Sequence, residues 1–422
     1  MPNRFSLRRF SADQWVATLG GCVPVAVVLG VVPIEGFIIL TGLVWSISKC
    51  RKAAAWRENL SQNPLFWPLI CWLAAVVLSR AVNGGSAFQF AHDAAFIRYP
   101  LFVIALLDVS SRIPVRRYLM AGLIVGIVYA MLNMASAYTI GHDFLGKPLL
   151  RYALRLKEGA RIGAVCAYAA PMFLQWGLFD RQLVKRQRVW IFVIGGIAIL
   201  LLVGCQVRTA LMAALLGLVG GSFCQLYLRG RLKIFHVLAM ALFACIGVLG
   251  ILKLHSNFNS IYDRVYIWQV SLQVWLQDPI FGVGISSFNT AYHQVAASAL
   301  VRPFVSPAGQ VLQNMDPRHA HNIFLQLAAC TGIVGIAAFG WLYLRATKTI
   351  LRSRSAYDTG LLSWPLVCIV IGLTGWNIYD PFYTAVLSYF LANIGVCAGA
   401  SPQGHCNDNT DNPSLAGMQQ EA

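Results

Sequence analysis

The chain has 422 residues, 58% hydrophobic and 12% charged, against about 45–50% and about 25% in an ordinary soluble protein. So little charge excludes a disordered chain and a coiled coil. The net charge of +17 does not make it a soluble nucleic-acid binder either, because the cations sit in small clusters between long apolar runs and not on one polar face. That layout predicts an all-α polytopic membrane protein.

A membrane helix needs about 20 mostly apolar residues to cross roughly 30 Å of hydrocarbon. In chain order, twelve segments qualify: about 15–32, 34–48, 64–80, 94–108, 118–140, 160–179, 189–204, 206–228, 234–253, 321–345, 362–378 and 381–399. Tight hairpins are expected at 204–208 and 378–381. The N-terminal Arg4, Arg8 and Arg9 before an apolar run imitate a secretory signal, and Leu19-Gly20-Gly21-Cys22 imitates a lipoprotein site. The run continues past Cys22 and no small-residue cleavage site closes it, so an uncleaved first helix is expected. None of the 11 cysteines forms a C-x-x-C pair, and most lie inside apolar runs, as small packing residues do.

With the N-terminus in the cytoplasm, 21 of the 33 Lys and Arg fall in cytoplasmic loops, the clusters being 4–9, 49–57, 112–117, 181–188, 229–233 and 345–354. Every second loop is basic, so the positive-inside rule supports both the orientation and the span count. An even count returns the polar 401–422 tail to the cytoplasm, where its Asn, Asp, Gln, Ser and Pro content predicts disorder. Residues 1–400 are read as one transmembrane domain.

Two outer loops break the pattern. One carries Lys147, Arg151, Arg155, Lys157 and Arg161 on the side that should be poor in cations. These can hold phosphates, or equally can meet anionic lipid. The other, about 254–320, is the longest. Its Val265, Trp268, Leu272 and Trp275 repeat at helical spacing, which predicts at least one amphipathic helix. No internal repeat supports an inverted-repeat transporter.

Three residues stand out chemically. Arg208 sits at the outer junction of two apolar runs, where an interfacial arginine can equally just snorkel to water. Arg264 lies four residues before Trp268, on one helical face; it can stack on that indole, pair with Asp263, or present a fixed fork to phosphate oxygens. His321 in His319-Ala320-His321-Asn322 closes the long loop where a membrane helix begins. The electropositive helix start and nearby arginines disfavour imidazolium, which keeps a histidine able to accept a proton. It can equally be an interfacial cap. The His-x-His pair has no Glu, Asp or Cys at ligand spacing, so no metal and no cofactor are expected. Walker, dinucleotide-binding and G-x-S-x-G motifs are missing, and so is a paired-carboxylate site.

The segments Asp263-Arg264-Val265-Tyr266-Ile267-Trp268, Asp278-Pro279-Ile280-Phe281-Gly282-Val283-Gly284, His321-Asn322-Ile323-Phe324-Leu325-Gln326 and Thr331-Gly332-Ile333-Val334-Gly335 together resemble the bacterial O-antigen ligase/polymerase family. Arg208 matches that family's arginine at the outer end of a preceding helix, and Arg161 matches more weakly. The resemblance implies a GT-C-like membrane glycosyltransferase of the bacterial inner membrane, with both termini cytoplasmic and the active site periplasmic. It implies transfer of a glycan from undecaprenyl diphosphate to a sugar hydroxyl of lipid A core, in lipopolysaccharide biosynthesis, by a metal-independent inverting reaction. A monomer suffices for this chemistry. Arg208, Arg264 and His321 are then the catalytic candidates. Arg161, Trp268, His319, Asn322, Lys147, Arg151 and Arg155 are candidates to bind substrate, with Arg302 and Arg318 as further cations and Asp380 as a partner for an arginine or for His321. An O-antigen polymerase or a protein O-oligosaccharyltransferase of the same superfamily is the nearest alternative, and a polysaccharide flippase a more distant one.

Overall fold

The structure is a computed structural model. It describes residues 10–49, 60–144, 159–253, 259–298, 319–353, 358–375 and 377–399, with isolated positions at 146, 300–301, 303–305, 309, 311–312 and 317. The helices in order are α1 (Ala12–Gly21), α2 (Val23–Leu29), α3 (Val31–Lys49), α4 (Phe66–Asn83), α5 (Ala87–Ala94), α6 (Arg98–Ser110), α7 (Val115–Ile140), α8 (Gly159–Phe179), α9 (Lys185–Cys205), α10 (Arg208–Leu228), α11 (Ile234–Lys253), α12 (Asn259–Gln277), α13 (Phe288–Ala296), α14 (Ile323–Arg352), α15 (Asp358–Leu361), α16 (Trp364–Thr374) and α17 (Pro381–Gly399). A turn of 3-10 helix joins α5 to α6, and β1 (Phe304–Val305) pairs antiparallel with β2 (Val311–Leu312). The chain is thus an all-α polytopic membrane protein. Lys147, Arg151, Arg155, Arg302 and Arg318 lie outside the described residues, as does the 401–422 tail.

Among the described residues, eight helices are long and apolar enough to cross a membrane. The α1–α2 pair makes a ninth if its 43° bend falls within one span, and shorter apolar helices run over Ile234–Gly250, Asp358–Leu373 and Pro381–Cys397. Each segment read from the sequence holds one of these. The span expected over 15–32 is broken at Cys22, with Pro24 in the first turn of α2, where a missing N–H costs no hydrogen bond. The segment expected to begin near 94 starts at Ala87, because Ser86 and Gln89 close a capping box ahead of it. On α12, the face expected to be apolar (Val265, Trp268, Leu272, Trp275) is the half-exposed one. Tyr266, Ile267, Val270 and Val274 are buried. This helix is apolar on two sides, so periodicity finds the helix but not the side its neighbours cover.

The largest departure from a simple bundle is in α14. Gly332, at φ +61° and ψ −161°, interrupts the helix, freeing backbone groups that lipid cannot satisfy. The 279–284 turn satisfies them. Val283 N donates to Ala329 O at 2.8 Å and Gly284 N to Cys330 O at 2.9 Å. In return Ile333 N donates to Pro279 O at 3.0 Å and Val334 N to Ile280 O at 3.3 Å. Only glycine fits at the contact: a Cβ on Gly332 would lie 2.1 Å from Ile280 O, and one on Gly282 2.5 Å from the Cys330 carbonyl carbon. The P-x-x-G-x-G and T-G-x-x-G segments are therefore two halves of one joint.

Candidate active site

The site is built where the ends of α8, α9, α10, α14 and α16 meet. Residues 206 and 207 link α9 to α10, with Gln206 in the left-handed region at φ 51°, so the expected tight hairpin forms and Arg208 opens α10. The start of α8 packs on this hairpin: a Cβ on Gly163 would meet Val207 and Ala210 at 3.4 and 3.5 Å. The end of α16 closes the opposite side. A Cβ on Gly375 would meet Thr209 Oγ1 at 3.3 Å, and Asn322 Nδ2 donates to Leu373 O at 3.5 Å. Arg208 and His321, 113 positions apart in sequence, are thus bridged by one helix end.

His321 sits immediately before α14 and is, with Gln206, one of two non-glycine residues at positive φ among the described residues. A left-handed backbone costs an L-residue about 1–2 kcal/mol, so something must hold it. Asn322 caps α14, accepting from Phe324 N at 2.9 Å and Leu325 N at 3.2 Å. Gln326 Oε1 reaches back to accept from Ala320 N at 2.7 Å. These bonds fix the chain on both sides of His321. Asn322, a candidate for orienting the histidine or touching sugar, therefore has its side-chain oxygen engaged in capping.

The His319 and His321 rings lie 4.1 Å apart, centroid to centroid. Arg264 is close enough to repel a charge on His321, and Arg208 close enough to repel Arg264. Burial, then His319, then Arg264 push the His321 pKa down to about 3, so the ring is neutral throughout the physiological range. Its Nδ1 is buried with no hydrogen-bond partner among the described residues. Burial and Arg208 likewise lower the Arg264 pKa below that of an ordinary guanidinium. Arg264 is half-buried, and among the described residues no carboxylate pairs with it. Its expected neighbours Asp263 and Trp268 neither pair with it nor stack on it. The structure brings Arg208, Arg264, His319 and His321 into one cluster.

Trp268 Nε1 and, one turn further on, Ser271 Oγ are buried without partners among the described residues. Ser271 was not singled out by sequence, since a serine in an amphipathic helix carries no signal until the other face is known to be covered. Arg161 lies on a neighbouring wall. Its guanidinium stands 5.7 Å from the Phe382 ring centroid, and both it and Asp380 lie in electrostatic range of Tyr383. Asp380 accepts from Phe382 N at 3.0 Å, capping α17, which places it with Arg161 and Tyr383. Among the described residues no three His, Cys, Asp or Glu side chains gather as a metal-ligand set. Beneath His321, an apolar cavity of about 280 Å³ runs between α14 and α16, lined by Ile323, Phe324, Leu327, Phe339, Tyr343 and Cys368.

The arrangement can hold a polyanion and accept a proton beside it. Residues 158–340 match the profile of a family described as O-Antigen ligase. The matched stretch contains Arg161, Arg208, Arg264, Trp268, His319, His321 and the joint in α14. No curated protein matches the chain.

Proposed function

We propose that this chain, whose residues 158–340 match the profile of a family described as O-Antigen ligase, acts as a member of that family and transfers a glycan from undecaprenyl diphosphate to a sugar hydroxyl of lipid A core at the periplasmic face of the bacterial inner membrane. The observation that carries this reading is Arg264: a half-buried guanidinium beside a second arginine, with no described carboxylate, is unfavourable alone and favourable once an anion arrives. A lipid diphosphate supplies that anion, and its isoprenoid chain suits the apolar cavity below Ile323.

Arg208 and Arg264 grip the diphosphate through bidentate hydrogen bonds and neutralise the charge that builds on it as it leaves. His321 takes the proton of the acceptor hydroxyl. The acceptor oxygen bonds to the anomeric carbon as the bond from that carbon to the diphosphate oxygen breaks, and the electron pair departs on the diphosphate. Attack opposite the leaving group inverts the centre, with no covalent enzyme intermediate. His321 Nδ1, buried and without a described partner, is the ring nitrogen left for the proton. Trp268 Nε1 and Ser271 Oγ are donors left for sugar oxygens, Arg161 serves acceptor phosphates, and Asn322 positions His321 by holding its helix.

Purified protein incubated with lipid-linked glycan and lipid A core, in the presence of chelator, should yield ligated product. Elongation of glycan with donor alone would instead identify a polymerase. Product that vanishes with chelator would overturn the metal-free route.

A further inference from the structure

The joint between the 279–284 turn and the break in α14 is gripped by a third element. The last turn of α4 presents Ser79, Arg80 and Asn83 to it. Ser79 Oγ donates to Cys330 O at 2.8 Å, and Asn83 Nδ2 donates to Gly282 O at 2.5 Å. Arg80 lies between them, 2% exposed, and its guanidinium is used in every direction. Nε donates to Asp93 Oδ2 at 2.8 Å, Nη1 to Gly84 O at 2.8 Å, and Nη2 to Ser286 Oγ at 2.9 Å and Ser287 Oγ at 3.0 Å. Asp93, 1% exposed, accepts from Ser286 N at 2.9 Å through its other oxygen, and His92 Nδ1 lies 3.2 Å from that same atom. The backbone has made room for this arm: a Cβ on Gly284 would lie 2.2 Å from Arg80 Nη2.

The gripped turn is the link between α12, which carries Arg264, and α13, and it is hydrogen-bonded into α14, which begins one residue after Asn322. The family-matched region begins at residue 158, so the arm comes from outside it. Replacing a buried ion pair by apolar groups is often neutral or favourable, so such a pair is weak testimony for stability. Three hydrogen bonds joining one guanidinium–carboxylate pair to one backbone turn and its serines, with Ser79 and Asn83 adding one each to the joint, are, in contrast, a strong geometric constraint.

We propose that Arg80, locked by Asp93, is a positioning residue for glycan transfer: it pins the 282–287 turn into the α14 break and so sets the distance between the Arg264 helix and the His321 helix. This rests on the transfer reading above. On that footing the pair touches no reacting atom. It should change how often the bound donor meets the base, and leave donor capture largely intact.

The test has two arms. In the first, hydrogen–deuterium exchange of the purified full chain should show the amides of Val283, Gly284, Ile333 and Val334 exchanging at least about tenfold faster in Arg80→Lys, with α7–α9 unchanged, because these amides open through local motion. Lysine keeps the charge and loses the fork. In the second arm, Ser286→Ala/Ser287→Ala removes only the acceptors on the turn and spares the buried charges. It should lower kcat about tenfold, and Arg80→Lys up to about a hundredfold, the scale on which a small misplacement costs rate. Donor-binding stoichiometry and KM should stay at wild-type levels, which a misfolded fraction would not allow. The triple variant should be no slower than Arg80→Lys, because both changes cut the same contact. Unchanged exchange in Arg80→Lys would overturn the clamp. Faster exchange with wild-type kcat, or effects that multiply in the triple variant, would overturn the positioning role. A wild-type protein without turnover would overturn the transfer reading and with it that role, while the exchange arm would still establish or overturn the clamp.

Discussion

At one end of the bundle, Lys49 and Arg112 share Asp108 at 2.8 and 2.7 Å, Arg112 also meets Asp13 at 2.8 Å, and Arg116 meets Asp358 at 2.7 Å. At the other end, Arg264 is half-buried between Arg208 and His321, and no described carboxylate answers it. The pKa directions are opposite. The hydrogen bond that Arg112 donates to Asp13 raises it above an ordinary guanidinium, whereas burial and a like charge lower Arg264. Paired cations tie helix ends together, while a half-buried cation without a counter-ion opposes folding unless a ligand brings the missing charge. The same contrast holds within the site end. Arg80 is saturated by protein acceptors, whereas no described carboxylate pairs with Arg264; on the proposed reading this separates an arginine that holds the frame from one that meets substrate.

The contrast can be broken most decisively at His321. His321→Ala should cut ligation by about 10²–10⁴-fold, the usual cost of losing a base, as measured by product formation with purified donor and acceptor. Arg264→Ala should cost about 10²–10³-fold, comparable to losing one oxyanion donor, and Arg264→Lys should recover part of that and no more. A wild-type rate in either Arg264 variant would remove it from the site. Gly332→Ala should destabilise the chain by about 3 kcal/mol, combining left-handed strain with a blocked contact, read as a lower midpoint of thermal unfolding in detergent.

The sign of the pH dependence sharpens the comparison further. A folded pKa near 3 for His321 leaves the base deprotonated below the ordinary histidine value of about 6.5. The acid limb of kcat/KM, which reports the unliganded protein, should therefore lie below pH 6.5. Removing the Arg264 charge should move it upward, since a cation that disfavoured imidazolium is gone. An unmoved limb in Arg264→Ala would mean that the two residues are not coupled. The smallest effect is expected at the far end. Arg112→Ala, losing a half-exposed pair, should cost about 1 kcal/mol of stability and leave the ligation rate within about twofold.

Much of this was legible in the residues. Arg208, Arg264 and His321 stood out because a membrane chain that spends only 12% of its residues on charge makes each placed cation conspicuous, and the tight 204–208 hairpin followed from two apolar runs with no room between them. Arg80 and Asp93 carry no such signal: each lies near the end of an apolar segment, where a snorkelling charge is unremarkable, and nothing local shows that they meet. Asn322 and Asp380 were read as possible site groups, although their position before a helix, with backbone N–H groups ahead, already suits a cap. The helical spacing of Val265, Trp268, Leu272 and Trp275 reveals α12 but not which side its neighbours cover, because the helix is apolar on two sides.

Sequence alone determined the solvent of this protein, the places where helices can form, and the polar residues that chemistry would need, since hydropathy, capping and turn preferences act over a few neighbouring positions. Tertiary structure decided which cations were answered by carboxylates, left Arg264 with none among the described residues, and decided how a break in one helix was filled by a turn from another. Charge pairing and backbone satisfaction in a medium without water depend on groups far apart along the chain, and only packing brings them within hydrogen-bonding distance.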